Sequence, residues 1–73
     1  MIRTWIPIAI PTRIVLERQA DDGTYEYLRR SVIAFSIDDS DFITYMTCSG
    51  IYYSARGREF SFAEQLQDGV WQS

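Results

Sequence analysis

Two acidic clusters and two arginine pairs are the residues of this chain whose types and spacing could do chemistry. They are Asp21-Asp22, Asp38-Asp39-Ser40-Asp41, Arg29-Arg30 and Arg56-Gly57-Arg58. Paired carboxylates can divide acid and base roles between them. Both acidic clusters, however, fall between apolar runs, where Asp closes turns by bonding its own backbone. A divalent ion at Asp39 and Asp41 would lack the ligand count of a dedicated calcium loop. The remaining catalytic repertoire is missing. With no histidine and no lysine there is no Ser-His or Cys-His pair and no Schiff-base amine. The four glycines stand singly, so no phosphate-cradling loop exists. One cysteine and no histidine leave no ordinary zinc ligand set. The chain reads as a non-enzyme with no cofactor and no metal.

The arginines are the better lead. Guanidinium forks suit phosphates and carboxylates, and aromatic rings nearby offer stacking faces. The candidate ligand-binding set is Arg29, Arg30, Arg56, Arg58, Tyr45 and Tyr52, with Tyr25 and Tyr27 as further faces. The simpler account is a solvated surface on which seven arginines meet ten carboxylates. Charge alternates in blocks, +2 over 1–20, −3 over 21–28, +2 over 29–37, −3 over 38–41, +2 over 42–58 and −3 over 59–73. The net charge of −3 does not describe a bulk-electrostatic nucleic-acid binder.

The elements that must position these residues read as strands. Residues 5–11 carry Ile6, Ile8 and Ile10 on one parity, with Pro7 and Pro11 between. Proline cannot donate a ladder bond, so residues 1–11 are expected at a sheet edge or as an arm on a neighbouring subunit. Residues 12–19 form a strand, Asp21-Asp22-Gly23 a three-residue hairpin loop, and residues 24–37 a long strand. That loop sets Arg18 opposite Glu26 and Leu16 opposite Leu28. The apolar phase of 24–37 changes along its length, which predicts a bulge at 29–31. After the acidic turn, residues 42–62 read as a meander through two-residue turns at Ser49-Gly50 and Arg56-Gly57. This register pairs Met46 with Tyr53 and Tyr53 with Phe60. It turns Cys48 onto the apolar face, as a buried and inert thiol, and Tyr45 onto the other. A helix over 41–48 is the competing reading, since Asp and Ser cap helices well. Ser61-Phe62-Ala63-Glu64 matches a capping box and predicts a short helix over 62–68, stopped by Gly69.

Seventy-three residues make a single domain, 1–73, too small to bury much of its surface without a staple or a partner. With no internal disulfide available, homo-oligomerisation is expected. The lone cysteine fits a reducing, cytoplasmic compartment. The N-terminal apolar run is too short for a signal peptide, and no segment has the length to span a bilayer as a helix. The fold class expected is all-β, or β with one short C-terminal helix, as a strongly bent antiparallel sheet or small barrel of about five strands.

The order of pieces resembles the Sm-like barrel and, more narrowly, a pared-down WYL domain, a bacterial regulatory module. Asp41-Phe42-Ile43-Thr44-Tyr45-Met46 stands where the name-giving Trp-Tyr-Leu lies in that family. Arg58-Glu59-Phe60-Ser61-Phe62-Ala63-Glu64-Gln65-Leu66 stands where its arginine-bearing strand and helix lie. The resemblance implies a regulatory module that binds nucleic acid or a nucleotide-like ligand through basic residues, Arg58 first and Arg56 beside it. A second expectation comes from small size, acidity and unexplained aromatics. It is a phage-type inhibitor that binds a host nucleic-acid-handling protein.

Overall fold

The computed structural model describes residues 4–73, and it is all-β. Six strands follow one another: β1 (Ile6–Gln19), β2 (Tyr25–Ile37), β3 (Ile43–Thr47), β4 (Tyr52–Ser54), β5 (Phe60–Gln67) and β6 (Val70–Gln72). They form one antiparallel sheet in the order β4-β3-β2-β1-β5-β6. The segment read as either strand or helix is strand over Ile43–Thr47, as its β-branched and aromatic content favours.

The first hairpin follows its turn chemistry. Ala20 N–H donates to Thr24 O at 2.7 Å, and Arg18 lies opposite Glu26 and Leu16 opposite Leu28. Thr24 donates its hydroxyl and its amide to Asp22 Oδ1, which holds that carboxyl below its ordinary range. The acidic turn also closes as expected. Asp38 Oδ1 accepts from the amides of Ser40 and Phe42, and Asp41 takes a left-handed φ of 63°.

Four expectations are corrected. The β3–β4 loop holds three residues, not two. Gly50 N–H donates to Thr47 O and Thr47 N–H to Ile51 O, with Gly50 at φ 85°. Tyr45 therefore pairs with Tyr53, and Met46 with Tyr52. One residue of register exchanges the faces: Tyr45 turns to the core, and Cys48 is exposed at the loop.

The second correction concerns β5, which pairs with β1 and not with β4. No ladder joins β4 to β5, so the six-stranded sheet stays open instead of closing into a barrel of five. It must nevertheless curl. Four interstrand steps separate β4 from β5, about 19 Å on a flat sheet. The connection between Ser54 and Phe60 is short and contains two turns, Gly57 N–H to Ser54 O and Phe60 N–H to Gly57 O. Curling brings the Tyr45 ring of β3 over the Phe60 ring of β5, with centroids 5.8 Å apart and planes 5° from parallel.

The third correction is that the helix over 62–68 does not form. The segment is β5, followed by a tight Asp68-Gly69 hairpin in which both residues have positive φ, 53° and 77°. A helix so short is marginal alone, whereas pairing with β1 sets Ala63 beside the fully buried Ile14. Glu64 leaves its capping role and takes Arg13 instead, Nε to Oε1 at 3.0 Å.

The fourth is that the phase change on β2 lies at Ile33, not at 29–31. The β1 register breaks between Pro7 and Thr12, so residues 8–11 face Ile33 alone, and the β3 register breaks between Val32 and Ala34. Below the break the β1–β2 ladder runs without a fault from Val32 to Tyr25. The proline rule holds locally, because β1 gains β5 as a neighbour only from Thr12 onward. The expected arm over 1–11 is a strand from Ile6; residues 1–3 of it lie outside the described residues.

The core is small. Ile14, Leu16 and Val32 cluster on the concave side, with Ile8, Leu28, Tyr45, Tyr53, Phe60 and Ala63 packed around them. Val15 points to the convex side yet is 1% exposed, flanked in register by Arg29 and Phe62.

Candidate ligand-binding site

The six residues expected to bind a ligand do not converge. Arg29 lies on the convex face of β2, and its Nε sits 3.5 Å from Glu64 Oε1. The same carboxylate oxygen holds Arg13, whose guanidinium lies 4.0 Å above the Trp71 ring. Glu64 is thus shared by two cations, and its side chain is only 12% exposed. This group shares a face with Val15, which Arg29 flanks in register, and it ties β1, β2, β5 and β6 together. Arg30 is exposed and donates to the Arg29 carbonyl at 3.2 Å.

Arg56 and Arg58 stand on the connection between β4 and β5. The Arg56 guanidinium lies 3.6 Å over the Phe42 ring, next to the acidic turn. Arg58 makes no ion pair among the described residues, while its neighbour Glu59 lies 4.0 Å from Arg18. Tyr45 is not a stacking platform. It is packed against the core and Phe60, and burial pushes its phenol up from the usual range. Tyr52 is exposed, but Trp5 tilts across it with centroids 4.9 Å apart. No contiguous basic groove results.

A different feature, absent from the sequence reading, is a cleft of about 580 Å³ on the concave side. Curling of the sheet opens it where β1 has not yet met β5. One wall is the bulged segment 7–10, and the floor is Phe35, Ile43, Tyr45 and Ala63. The opposite wall carries Gln65, Gln67 and Gln72, and Thr12 and Ser73 complete the lining. Gln65 lies opposite Gln72 in the β5–β6 register, and Gln67 is on the same face of β5 two residues on. None of the lining residues is Asp, Glu, Lys or Arg. The volume falls within the range of ligand pockets.

Among the described residues no group of three or more His, Cys, Asp or Glu is placed to hold a metal ion. Among the described residues no helix is long and apolar enough to cross a membrane. Comparison with known proteins finds no matching family model, no matching curated protein and no matching solved structure.

The sequence does contain signals for part of this arrangement. Asp68-Gly69, between Leu66-Gln67 and Val70-Trp71, is a strong hairpin dipeptide, and it makes Gln65 and Gln72 neighbours. Nothing local indicates that β5 crosses to β1, which is the step that builds the cleft.

Proposed function

We propose that this chain is a non-catalytic regulatory module that binds a protein partner through apolar and aromatic surface. One observation carries the reading. Among the described residues, eleven large hydrophobic side chains are between 39% and 59% exposed, against five buried hydrophobic residues. A soluble monomer seldom leaves so much apolar surface uncovered relative to its core, and a chain this small gains stability when a partner covers it. A cleft lined by no charged side chain, and the separation of Arg29, Arg30, Arg56 and Arg58 among the described residues, point the same way. An inhibitor that occupies a protein surface needs this equipment and no catalytic apparatus.

Affinity capture on the immobilised chain, scored for both protein and nucleic acid, tests the reading. Light scattering of the isolated chain at several concentrations runs beside it. A single dominant protein, or a defined oligomer of this chain, is the expected result. Nucleic acid as the only captured species would overturn it.

A second reading keeps the arginines as a nucleic-acid or nucleotide contact, in line with the Sm-like and WYL-like resemblance. Its support is that Arg30, Arg56 and Arg58 make no carboxylate ion pair among the described residues. It predicts binding that falls steeply with salt and is lost in an Arg56→Ala, Arg58→Ala double variant.

A further inference from the structure

We propose that the concave cleft receives an uncharged, extended peptide segment of the partner, apolar side chains toward the β1 bulge and backbone amides toward the glutamine wall. This deepens the protein-binding reading and rests on it.

The chemistry of the two walls differs. The bulge and floor present Ile8, Ile10, Phe35 and Tyr45, an apolar surface into which a charged group would move only at the cost of its hydration. The facing wall presents three primary amides. Each offers two donors and an acceptor, and none is engaged in a side-chain hydrogen bond among the described residues. An extended peptide matches both walls, since its side chains alternate and its backbone offers amide N–H and C=O at regular spacing.

Charge selection supports the same occupant. Charged residues make up 23% of the chain, so thirteen lining positions would hold about three charged side chains by composition alone, and they hold none. Arg30 and the Arg18–Glu26 pair share the concave face but lie along the ladder toward the Asp21–Gly23 hairpin and do not line the cleft. A nucleotide or an acidic peptide would find no counter-charge in the cleft.

The gap has a backbone reason as well. Residues 6–11 of β1 have no β5 partner, and Leu66 and Gln67 of β5 pair only with β6. Two diverging strands therefore leave room between them.

The test uses the full chain, isotopically labelled, titrated with capped, uncharged peptides rich in Val, Leu, Phe and Thr. Saturable amide shifts are expected at residues 8–10 and 65–67. Ile10→Glu and Gln67→Glu each place a carboxylate on an exposed rim position, and each is expected to weaken binding by about tenfold or more. Gln19→Ala, at the far end of β1, should bind as the parent does. The inference is overturned by shifts confined to other surfaces, by equal affinity in both Glu variants, or by no response to any peptide. Cleft shifts with a neutral dye such as Nile red, but with no peptide, would also overturn it. A partner captured from lysate equally well by the parent and both Glu variants would sink the cleft and leave the protein-binding reading standing. Peptide binding at the cleft with no captured partner would do the reverse.

Discussion

Glu64 shows how much one side chain decides in a domain without a large core. It sits where a helix cap would have used it, yet it bridges Arg13 and Arg29 on the convex face. The Arg13 guanidinium lies 4.0 Å over the Trp71 ring on that face, which ties β6 to the same group. Removing the charge should leave Arg13 poorly compensated in a partly buried site. Glu64→Gln is expected to cost about 1–3 kcal/mol, read as a lower urea midpoint at unchanged slope. A change within about 0.5 kcal/mol would place this group among ordinary surface ion pairs. Tyr45 gives a second residue-scale test. Its phenol is pushed up by burial, so the folded state holds the proton longer than the unfolded chain. Stability from this source is intact below the unfolded value near pH 10 and declines as pH rises above it. Tyr45→Phe should flatten that alkaline decline in denaturation midpoints; an identical decline in the variant would count against the buried placement.

At the scale of elements, the two ends of β1 are expected to behave differently. Residues 8–10 lie in the bulge and face a single residue of β2, with no β5 neighbour. Residues 14–16 have partners on both sides and are at most 2% exposed. Hydrogen exchange should therefore be fast at Ile8–Ile10 and approach the global limit at Ile14–Leu16. Uniform protection along β1 would contradict the bulge. The last hairpin offers a sharper test. Gly69 sits at φ 77°, where a Cβ is strained even though space is open around it. Gly69→Ala is expected to destabilise the β5–β6 hairpin by about 1 kcal/mol. The shift should show in the thermal midpoint, and the Trp71 fluorescence should report the loosened β6.

For the whole molecule, the open, curled sheet sets the kind of binding expected. Protein contacts made through exposed Ile, Phe and Tyr side chains and a neutral cleft should respond weakly to salt. Partner affinity is expected to change by no more than about tenfold between about 50 and 200 mM salt, whereas about six to ten phosphate contacts would lose about a thousandfold or more. Three or four arginine–phosphate contacts would lose about 40- to 150-fold over that range, so calorimetry at the two salt levels separates the readings, and a loss of that size would move the function to the arginines. A partner that covers apolar surface should also raise the melting temperature with its concentration.

Local chemistry in the chain was enough to establish most of the strand content, the register of the Asp21-Asp22-Gly23 hairpin and the Asp38–Asp41 turn. Each of these depends on side-chain alternation or turn stereochemistry acting over a few residues. Tertiary structure alone decided that β5 joins β1, that Tyr45 faces inward, that Glu64 locks two arginines and that an uncharged cleft opens beside the proline-flanked bulge. A loop of two residues and one of three, or a capped helix and a strand, differ locally by little free energy. The choice falls to what each alternative buries against residues distant in the chain, and the capping-box and two-residue-turn signals gave way because Ile14, Leu16 and Val32 gained their neighbours by the other arrangement.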